Sequence, residues 1–293
     1  MPRIHIFSHS IRIFFACQML HFMEKNTILV IIVELFKETD MKQVVTVRNL
    51  TIGEGMPKIC VPIIASTEAE ILAKAEEIMN YPADLIEWRA DYFEDAYNLS
   101  AVASVLAGLR KVIGDMPLLF TFRSESEGGC KSICSKDYFA LNLAVAMYGE
   151  VDIIDLEIYH DLERAKNVIS MLHEAGIKVI ASHHDFDKTP TRSEIMNKLS
   201  KMKELDADIL KIAVTPNEIG DVARLLKITG RTSINFEKPL ITMAMGQMGI
   251  VTRIAGESFG SDITFGCVGE VSAPGQLHVD DLKIILETLH KYH

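Results

Sequence analysis

Short apolar runs alternate with longer amphipathic segments from residue 58 to the end of the chain. Each run holds six or seven residues rich in Val, Ile and Leu, a pattern typical of strands buried on both faces. The segments between the runs place apolar residues three and four positions apart, which indicates helices. The predicted strands are residues 58–64, 85–91, 118–124, 153–158, 178–184, 209–214, 240–245 and 263–268.

The alternation of strands and helices predicts a parallel sheet with helical crossovers. Eight units in about 250 residues are typical of an α/β fold, the (β/α)8 TIM barrel. An open doubly wound sheet is the alternative, but residues 65–68 do not supply the glycine-rich phosphate turn that usually follows its first strand. Residues 246–262 are glycine-rich and predict only a short helix. The other helices are predicted at residues 71–79, 101–113, 138–148, 162–172, 195–205, 219–228 and 282–289.

Two segments precede this alternation. Residues 44–47 and 50–52 are short β-rich runs around a polar pair and predict an N-terminal β-hairpin. We therefore expect residues 41–293 to form one barrel domain. Residues 1–40 are apolar without clean periodicity, and their longest charge-free apolar run, residues 28–33, is too short to span a membrane. We expect them to be a disordered leader or a mis-called extension.

Composition narrows the function classes. The chain has 293 residues, 48% hydrophobic, and a net charge of −10, which disfavours a disordered chain and a general nucleic-acid binder. Five cysteines, an odd number in a long chain, indicate reduced thiols and a cytoplasmic location. Cys130 and Cys134 are four residues apart, but two unrelated thiols are a better interpretation than a redox or metal pair.

Charged side chains fall where the predicted strands end. Chemistry in such a barrel lies at the carboxyl ends of the strands, so these residues are expected to meet at one mouth. Glu87, Arg89 and Asp91 alternate along the second strand and share one side. A structural Glu87–Arg89 ion pair is an open alternative. The other candidates are Arg123 and Glu127, His183 to Asp185, Lys211, Arg253, and residues 272–276.

Lys211 is the most informative of these residues. It interrupts the apolar strand 209–214, where a lysine is costly unless it is paired or neutral. A neutral lysine is a nucleophile that forms Schiff bases with carbonyl compounds. The alternative is a structural salt bridge from Lys211 to Glu87 or Asp155.

His184 is the candidate proton shuttle, because histidine titrates near neutral pH. Glu127 is the candidate carboxylate that orients it, although a solvated loop pair with Arg123 is an alternative. Adjacent strand residues face opposite ways, so His183 and His184 are not expected to share a metal ion. Three arginines fit an anionic, hydroxylated substrate: Arg89, Arg123 and Arg253.

These residues resemble the type I 3-dehydroquinate dehydratases, over roughly residues 42–293. The matching segments follow one another in order along the chain, which makes the resemblance specific. They are Glu87-Trp88-Arg89-Ala90-Asp91, Phe120 to Ser124 with Glu127-Gly128-Gly129, Ser182 to Phe186, Ala207 to Ala213, Met243 to Gly246, Arg253 with Gly256 to Ser261, and Ser272 to Gln276.

The resemblance implies a homodimeric barrel without metal or organic cofactor, acting on 3-dehydroquinate in aromatic amino-acid biosynthesis. By it, Lys211 forms an imine with the C3 ketone, His184 moves the proton from C2 to the departing C1 hydroxyl, and Glu127 orients His184. The implied substrate contacts are Arg253, Ser272 and Gln276 for the carboxylate, Glu87, Arg89 and Arg123 for the hydroxyls, and Met243 and Met245 for an apolar wall.

Two rival functions stay open at this point. Another Schiff-base barrel, such as a class I aldolase, would share the lysine but would yield two carbonyl fragments. A non-catalytic barrel that holds a sugar acid would form no covalent adduct. No nucleic-acid or membrane partner is expected.

Overall fold

The computed structural model describes residues 42–293, and they form the predicted (β/α)8 barrel. Eight parallel strands lie side by side in chain order, and a short strand, β11 (Leu277–His278), extends the sheet beyond the last of them. The barrel strands are β3 (Lys58–Ile63), β4 (Leu85–Arg89), β5 (Leu118–Thr121), β6 (Ile153–Glu157), β7 (Lys178–Asp185), β8 (Ile209–Val214), β9 (Leu240–Ala244) and β10 (Ile263–Cys267).

The seam between β9 and β10 is joined by Asp262. Its amide donates to the carbonyl oxygen of Leu240 at 2.7 Å, and its Oδ2 accepts from the amide of Leu240, also at 2.7 Å. The carbonyl oxygen of Asp262 accepts from the amide of Lys58 at 2.8 Å. One aspartate thus connects the first, seventh and eighth strands of the barrel.

The helices lie where the apolar spacing predicted them, but several begin up to three residues earlier, and the helix predicted at residues 219–228 continues to Asn235. The early starts follow from capping, since Thr67 and Thr191 each form a capping box whose polar first turn carries no apolar signal. The helices are α1 (Glu68–Ile78), α2 (Leu99–Ile113), α3 (Ser135–Tyr148), α4 (Leu162–Glu174), α5 (Arg192–Glu204), α6 (Ile219–Asn235), α7 (Ile250–Ile254), α8 (Gly256–Phe259) and α9 (Val279–His290).

The predicted hairpin closes the amino-terminal end of the barrel. Strands β1 (Val45–Val47) and β2 (Leu50–Ile52) pair antiparallel. Val45, Val47 and Ile52 are buried in a cluster with one or two apolar residues from each barrel strand, separate from the larger core between the sheet and the helices. The barrel interior is therefore apolar at this end, and its polar groups lie toward the opposite end.

The expectation for residues 1–40 lies outside the described residues. Within residues 42–293, none of the helices has the length and hydropathy that a membrane span requires.

Candidate active site

A cleft at the carboxyl ends of the strands brings together all eleven predicted site residues. Its volume, including the part open to solvent, is about 500 Å³. Five further residues, which the sequence did not single out for it, complete its lining: Gly128, Phe186, Ala213, Phe265 and Ala273. The predicted residues in its wall are Glu87, Arg89, Arg123, Glu127, His184, Lys211, Met243, Met245, Arg253, Ser272 and Gln276.

Lys211 lies inside the barrel on β8 and is only 3% exposed. Its Nζ donates to Oδ2 of Asp155 on β6 at 2.8 Å and lies 4.6 Å from the centroid of the Phe265 ring. Of the two ion pairs considered as alternatives, the structure forms the one with Asp155. The amine is thus held at one position in the cleft wall.

Asp155 is fully buried, so its charge depends on its neighbours. Its Oδ1 pairs with Nη2 of Arg123 at 2.8 Å and accepts a short hydrogen bond from Oγ of Ser182. Burial alone would raise the pKa of Asp155, but the positive charges of Arg123 and Lys211 hold it well below its usual range. Asp155 is therefore a carboxylate that lies permanently against the Lys211 amine.

Arg123 is the centre of this ionic network. Besides Asp155, its Nη1 donates to Oε1 of Glu157 at 2.8 Å and to Oγ of Ser182 at 3.1 Å. Burial would lower the pKa of the guanidinium, but the surrounding carboxylates raise it well above the usual value. The alternative of a solvated Arg123–Glu127 pair is wrong, because both side chains are buried and the pair is 3.6 Å long.

His184 and Glu127 form the predicted pair. Nδ1 of His184 lies 3.0 Å from Oε2 of Glu127, and the same oxygen accepts from the His184 amide at 3.0 Å. Burial would raise the pKa of Glu127, but hydrogen bonds from His183 and His184 hold it well below its usual range. Burial, and then the charge of Arg123, lowers the pKa of His184 to about 4. The imidazole is therefore neutral at pH 7, with its proton on Nδ1 and a lone pair on Nε2.

The strand register puts His184 and Lys211 on the same side of the sheet. Ser182 on β7 is opposite Lys211 on β8, and His184 is opposite Ala213. Side chains two residues apart on a strand point the same way, so Lys211 and His184 enter the cleft from neighbouring strands.

Two glycines shape the turn that carries Glu127. Gly128 has a φ of +84°, and a Cβ on it would lie 2.2 Å from the Phe186 ring. A Cβ on Gly129 would lie 1.8 Å from the carbonyl oxygen of Arg123. The tight turn thus requires glycine at both positions, and it brings the carboxylate of Glu127 over the end of β7.

Glu87 and Arg89 enter the cleft from β4 with different partners. Arg89 binds Asp91 through two hydrogen bonds of 2.8 Å, and Glu87 accepts from Oγ1 of Thr121 at 2.7 Å. The alternative of a Glu87–Arg89 ion pair is therefore wrong, since each side chain is fixed by another group. Both keep a face toward the cleft, where Glu87 offers an acceptor and Arg89 offers donors.

Arg253 on α7 has no carboxylate partner within residues 42–293. Its Nη2 donates to the carbonyl oxygen of Pro274 at 3.0 Å, its Nη1 lies 3.8 Å from Sδ of Met243, and its buried Nε has no hydrogen-bond partner in the described structure. Burial lowers the pKa of Arg253 to about 10, against a small opposing effect of Cys267. A buried cation without a counter-ion suits an anionic ligand.

Ser272 and Gln276 lie together on the loop after β10. Nε2 of Gln276 donates to Oγ of Ser272 at 2.9 Å, and its Oε1 accepts from the Ser272 amide at 2.8 Å. The loop is thus closed on itself beside Arg253.

Met243 and Met245 are buried in the wall of the cleft, so the two interpretations of these methionines, barrel packing and cleft lining, both apply.

Sequence patterns predict no role for Ser182 and Phe265, and no contact between His183 and Glu127. They indicate Asp155 only as an alternative salt-bridge partner of Lys211, although it interrupts an apolar strand just as Lys211 does. His183 lies on the opposite face of β7, as expected, yet its Nδ1 is 3.1 Å from Oε1 of Glu127. It reaches the site because Glu127 lies at the edge of the sheet, which alternation along one strand does not predict.

Known proteins match both the sequence and the fold. Residues 59–293 match the family model described as Type I 3-dehydroquinase. A 3-dehydroquinate dehydratase of Clostridioides difficile is 47% identical over 252 residues, 86% of this chain and 99% of that protein. One from Bacillus licheniformis is 45% identical over 252 residues, with the same coverage of 86% and 99%.

A solved structure agrees with these relatives. The type I 3-dehydroquinate dehydratase of Clostridium difficile with covalently modified comenic acid matches with a TM-score of 0.84 and 46% identity, covering 86% of this chain and 100% of that chain. Identity at this level over the whole barrel shows common descent as well as a common fold. The chain therefore belongs to the type I 3-dehydroquinase family.

Proposed function

We propose that the chain dehydrates 3-dehydroquinate to 3-dehydroshikimate through a Schiff base on Lys211, in the shikimate pathway. The observation that carries the proposal is one cleft that holds a buried amine, a neutral imidazole and a guanidinium without a carboxylate partner among residues 42–293. These are a nucleophile, a base and an anion site, and a β-hydroxy ketone acid needs all three for imine-assisted dehydration.

The chemistry begins at Lys211. The ammonium releases one proton, and the resulting amine attacks the C3 carbonyl to give a carbinolamine. The carbinolamine oxygen takes up two of the original ammonium protons and leaves as water, so that a protonated imine replaces the ammonium group beside Asp155. Asp155, 2.8 Å from Nζ of Lys211, can pair with the ammonium before the reaction and with the protonated imine after it. Asp155 thus stabilises the iminium without a change of its own charge.

His184 then moves one proton. The iminium acidifies the C2 hydrogen, Nε2 of His184 removes it, and the electron pair forms an enamine. The enamine expels the C1 hydroxyl, which takes the proton from His184 and leaves as water. Hydrolysis of the imine restores Lys211, and the net change is the loss of one water molecule. Glu127 stabilises the imidazolium through Nδ1.

The remaining cleft residues bind the substrate in this proposal. Arg253, with Ser272 and Gln276, takes the carboxylate. Arg89 and Arg123 donate to ring hydroxyls, and Glu87 accepts from one. Met243 and Met245 contact the apolar face of the ring. Each step uses side chains alone, so the proposed reaction requires no metal ion or organic cofactor.

We also propose that the protein acts as a homodimer in the cytoplasm. The family resemblance supports the dimer, and four free thiols at Cys60, Cys130, Cys134 and Cys267 support a reducing compartment. Sedimentation velocity of the purified chain tests the dimer: a single species at the monomer mass would contradict it.

Borohydride trapping tests the chemistry directly. Incubation with 3-dehydroquinate and borohydride should add the mass of the reduced adduct to the peptide that contains Lys211, and the Lys211→Ala variant should acquire none. In parallel, the wild type should generate the ultraviolet absorption of a conjugated enone. Two carbonyl fragments would favour an aldolase, and an active enzyme with no adduct would refute the Schiff base.

A further inference from the structure

His183 lies directly before the base and outside the cleft. We propose that it is a positioning residue: it holds one oxygen of Glu127 so that the other oxygen keeps His184 in the tautomer that can accept a proton. This rests on the proposed function, in which His184 is the base.

Both oxygens of Glu127 are occupied by donors from β7. Oε2 accepts from the amide and from Nδ1 of His184, each at 3.0 Å, and Oε1 faces Nδ1 of His183 at 3.1 Å. Because Glu127 is ionised, it only accepts hydrogen bonds, so both imidazoles carry a proton on Nδ1. The carboxylate is therefore fixed in rotation by two histidines that approach it from opposite faces of the strand.

The ring of His183 is itself held in place from behind the sheet. It meets the Tyr159 ring edge-on, with centroids 5.4 Å apart, and Nζ of Lys198 lies 4.2 Å above the same tyrosine. His183 lines a second, polar cavity between β7 and α5, together with Asp185, Lys188, Glu194, Asn197 and Lys198. The donor to Oε1 is thus supported by groups that do not contact the cleft.

Loss of this donor changes the pair in a defined way. Without it, the carboxylate of Glu127 can rotate, and its pKa rises because a hydrogen bond that lowers it is gone. Arg123, with Nη1 at 3.6 Å from Oε2, remains the nearest cation inside the cleft, and Lys198 remains the charged group above Tyr159. His184 then loses its fixed acceptor, so proton transfer slows while substrate contacts persist.

Three substitutions of His183 separate positioning from packing. Asparagine places an amide nitrogen close to the position of Nδ1, glutamine places one close to Nε2, and leucine has no donor. We expect His183→Leu and His183→Gln to lower kcat about tenfold, with KM within about twofold. The acid limb of kcat should move to lower pH, because the hydrogen bond to Glu127 that raises the pKa of His184 is weakened. His183→Asn should retain kcat within about threefold, and Tyr159→Leu, which keeps the donor, should do the same.

Equal losses in the asparagine, glutamine and leucine variants, or an unchanged pH profile in His183→Leu, would overturn the proposal. If His183→Leu does not fold, the comparison of glutamine with asparagine decides alone.

Nitrogen-15 NMR of His184 in the free enzyme gives a readout that does not depend on activity. The wild type and His183→Asn should show the proton on Nδ1, and His183→Gln should show a mixture of tautomers. An unchanged tautomer in His183→Gln would also refute positioning. Failure of the proposed function would instead appear as a wild type that forms no adduct with 3-dehydroquinate, whatever the tautomer of His184.

Discussion

The two sides of the cleft differ in whether their buried cations have carboxylate partners. On the side built by β5 to β8, each buried cation meets a carboxylate: Lys211 meets Asp155, and Arg123 meets both Asp155 and Glu157. On the side built after β9 and β10, Arg253 is equally buried, but within residues 42–293 its guanidinium contacts only a carbonyl oxygen and a sulfur atom. On the first side the charges of the cations are balanced by protein carboxylates before a ligand arrives. On the second side an anionic ligand would supply the missing negative charge.

This difference separates the chemistry from the binding. A network that exists before a ligand arrives holds Lys211, Glu127 and His184 in position, which reduces reorganisation during the reaction. A buried guanidinium without a counter-ion costs folding free energy, and a bound carboxylate recovers that cost as affinity. We therefore expect changes on the first side to affect turnover and folding, and changes on the second to affect KM.

The largest effect is expected from Lys211→Ala. It removes the nucleophile, so kcat should fall by at least about 10⁴-fold, measured from the absorbance of the enone. The variant also leaves Asp155 with Arg123 and Ser182 as partners, so circular dichroism should show a folded barrel. Residual activity within about a hundredfold of wild type would contradict the proposed nucleophile.

Arg123→Met and Arg253→Met test the contrast between the two sides most directly. Removal of Arg123 takes away the cation that Asp155 and Glu157 share and should lower the free energy of unfolding by roughly 3–5 kcal/mol in urea titrations. Removal of Arg253 strands no carboxylate among residues 42–293, so the free energy of unfolding should stay equal or increase.

The same Arg253→Met variant should lose substrate affinity. Loss of a charged, forked contact is expected to lower kcat/KM by about 10²-fold, mainly through KM. Arg253→Lys provides the matched control, because it keeps the charge without the fork and should recover part of the loss. Equal destabilisation by both methionine variants would show that the two arginines do not differ as described.

The sequence predicted the fold well because each barrel strand is a short apolar run that its own residues specify. Lys211 and Arg253 were identifiable for the same reason, since each charge interrupts or follows such a run. The pairing of charges was less predictable: Arg89 binds Asp91 rather than Glu87, and Arg123 binds carboxylates of the neighbouring strand β6. Alternation puts Glu87, Arg89 and Asp91 on one side but does not decide which carboxylate Arg89 binds. The partners of Arg123 depend on the register between β5 and β6.

The pH dependence of kcat/KM should be set by His184, on the side built by β5 to β8. Burial and Arg123 lower the pKa of His184 to about 4, so the base remains neutral as the pH falls through 6.5. Hence kcat/KM should stay level from pH 7 to about 5 and fall tenfold per unit only below about 4. An acid limb near pH 6.5 in steady-state profiles of the wild type would contradict this.

The lowered pKa of His184 also reduces the free energy of unfolding at acid pH. Between pH 6.5 and about 4 the unfolded chain binds a proton on His184 that the folded chain does not, so His184 lowers the free energy of unfolding as the pH falls through this window. His184→Gln should weaken this slope in urea titrations at several pH values.

The smallest effect is expected from Gln276→Ala, on the side built after β9 and β10. Its side-chain amide closes the loop onto Ser272 next to Arg253. Because this amide is neutral, its loss leaves no buried charge without a partner. We expect KM to rise about threefold to tenfold while kcat and the free energy of unfolding stay close to wild type. Gln276→Glu is the informative control: it keeps the size and the bond from the Ser272 amide but adds a negative charge beside the anion site. If Arg253 is free to take the substrate carboxylate, the added charge competes for it, and KM should rise well beyond the alanine value. A glutamate variant with the KM of the alanine variant would place the substrate carboxylate elsewhere in the cleft.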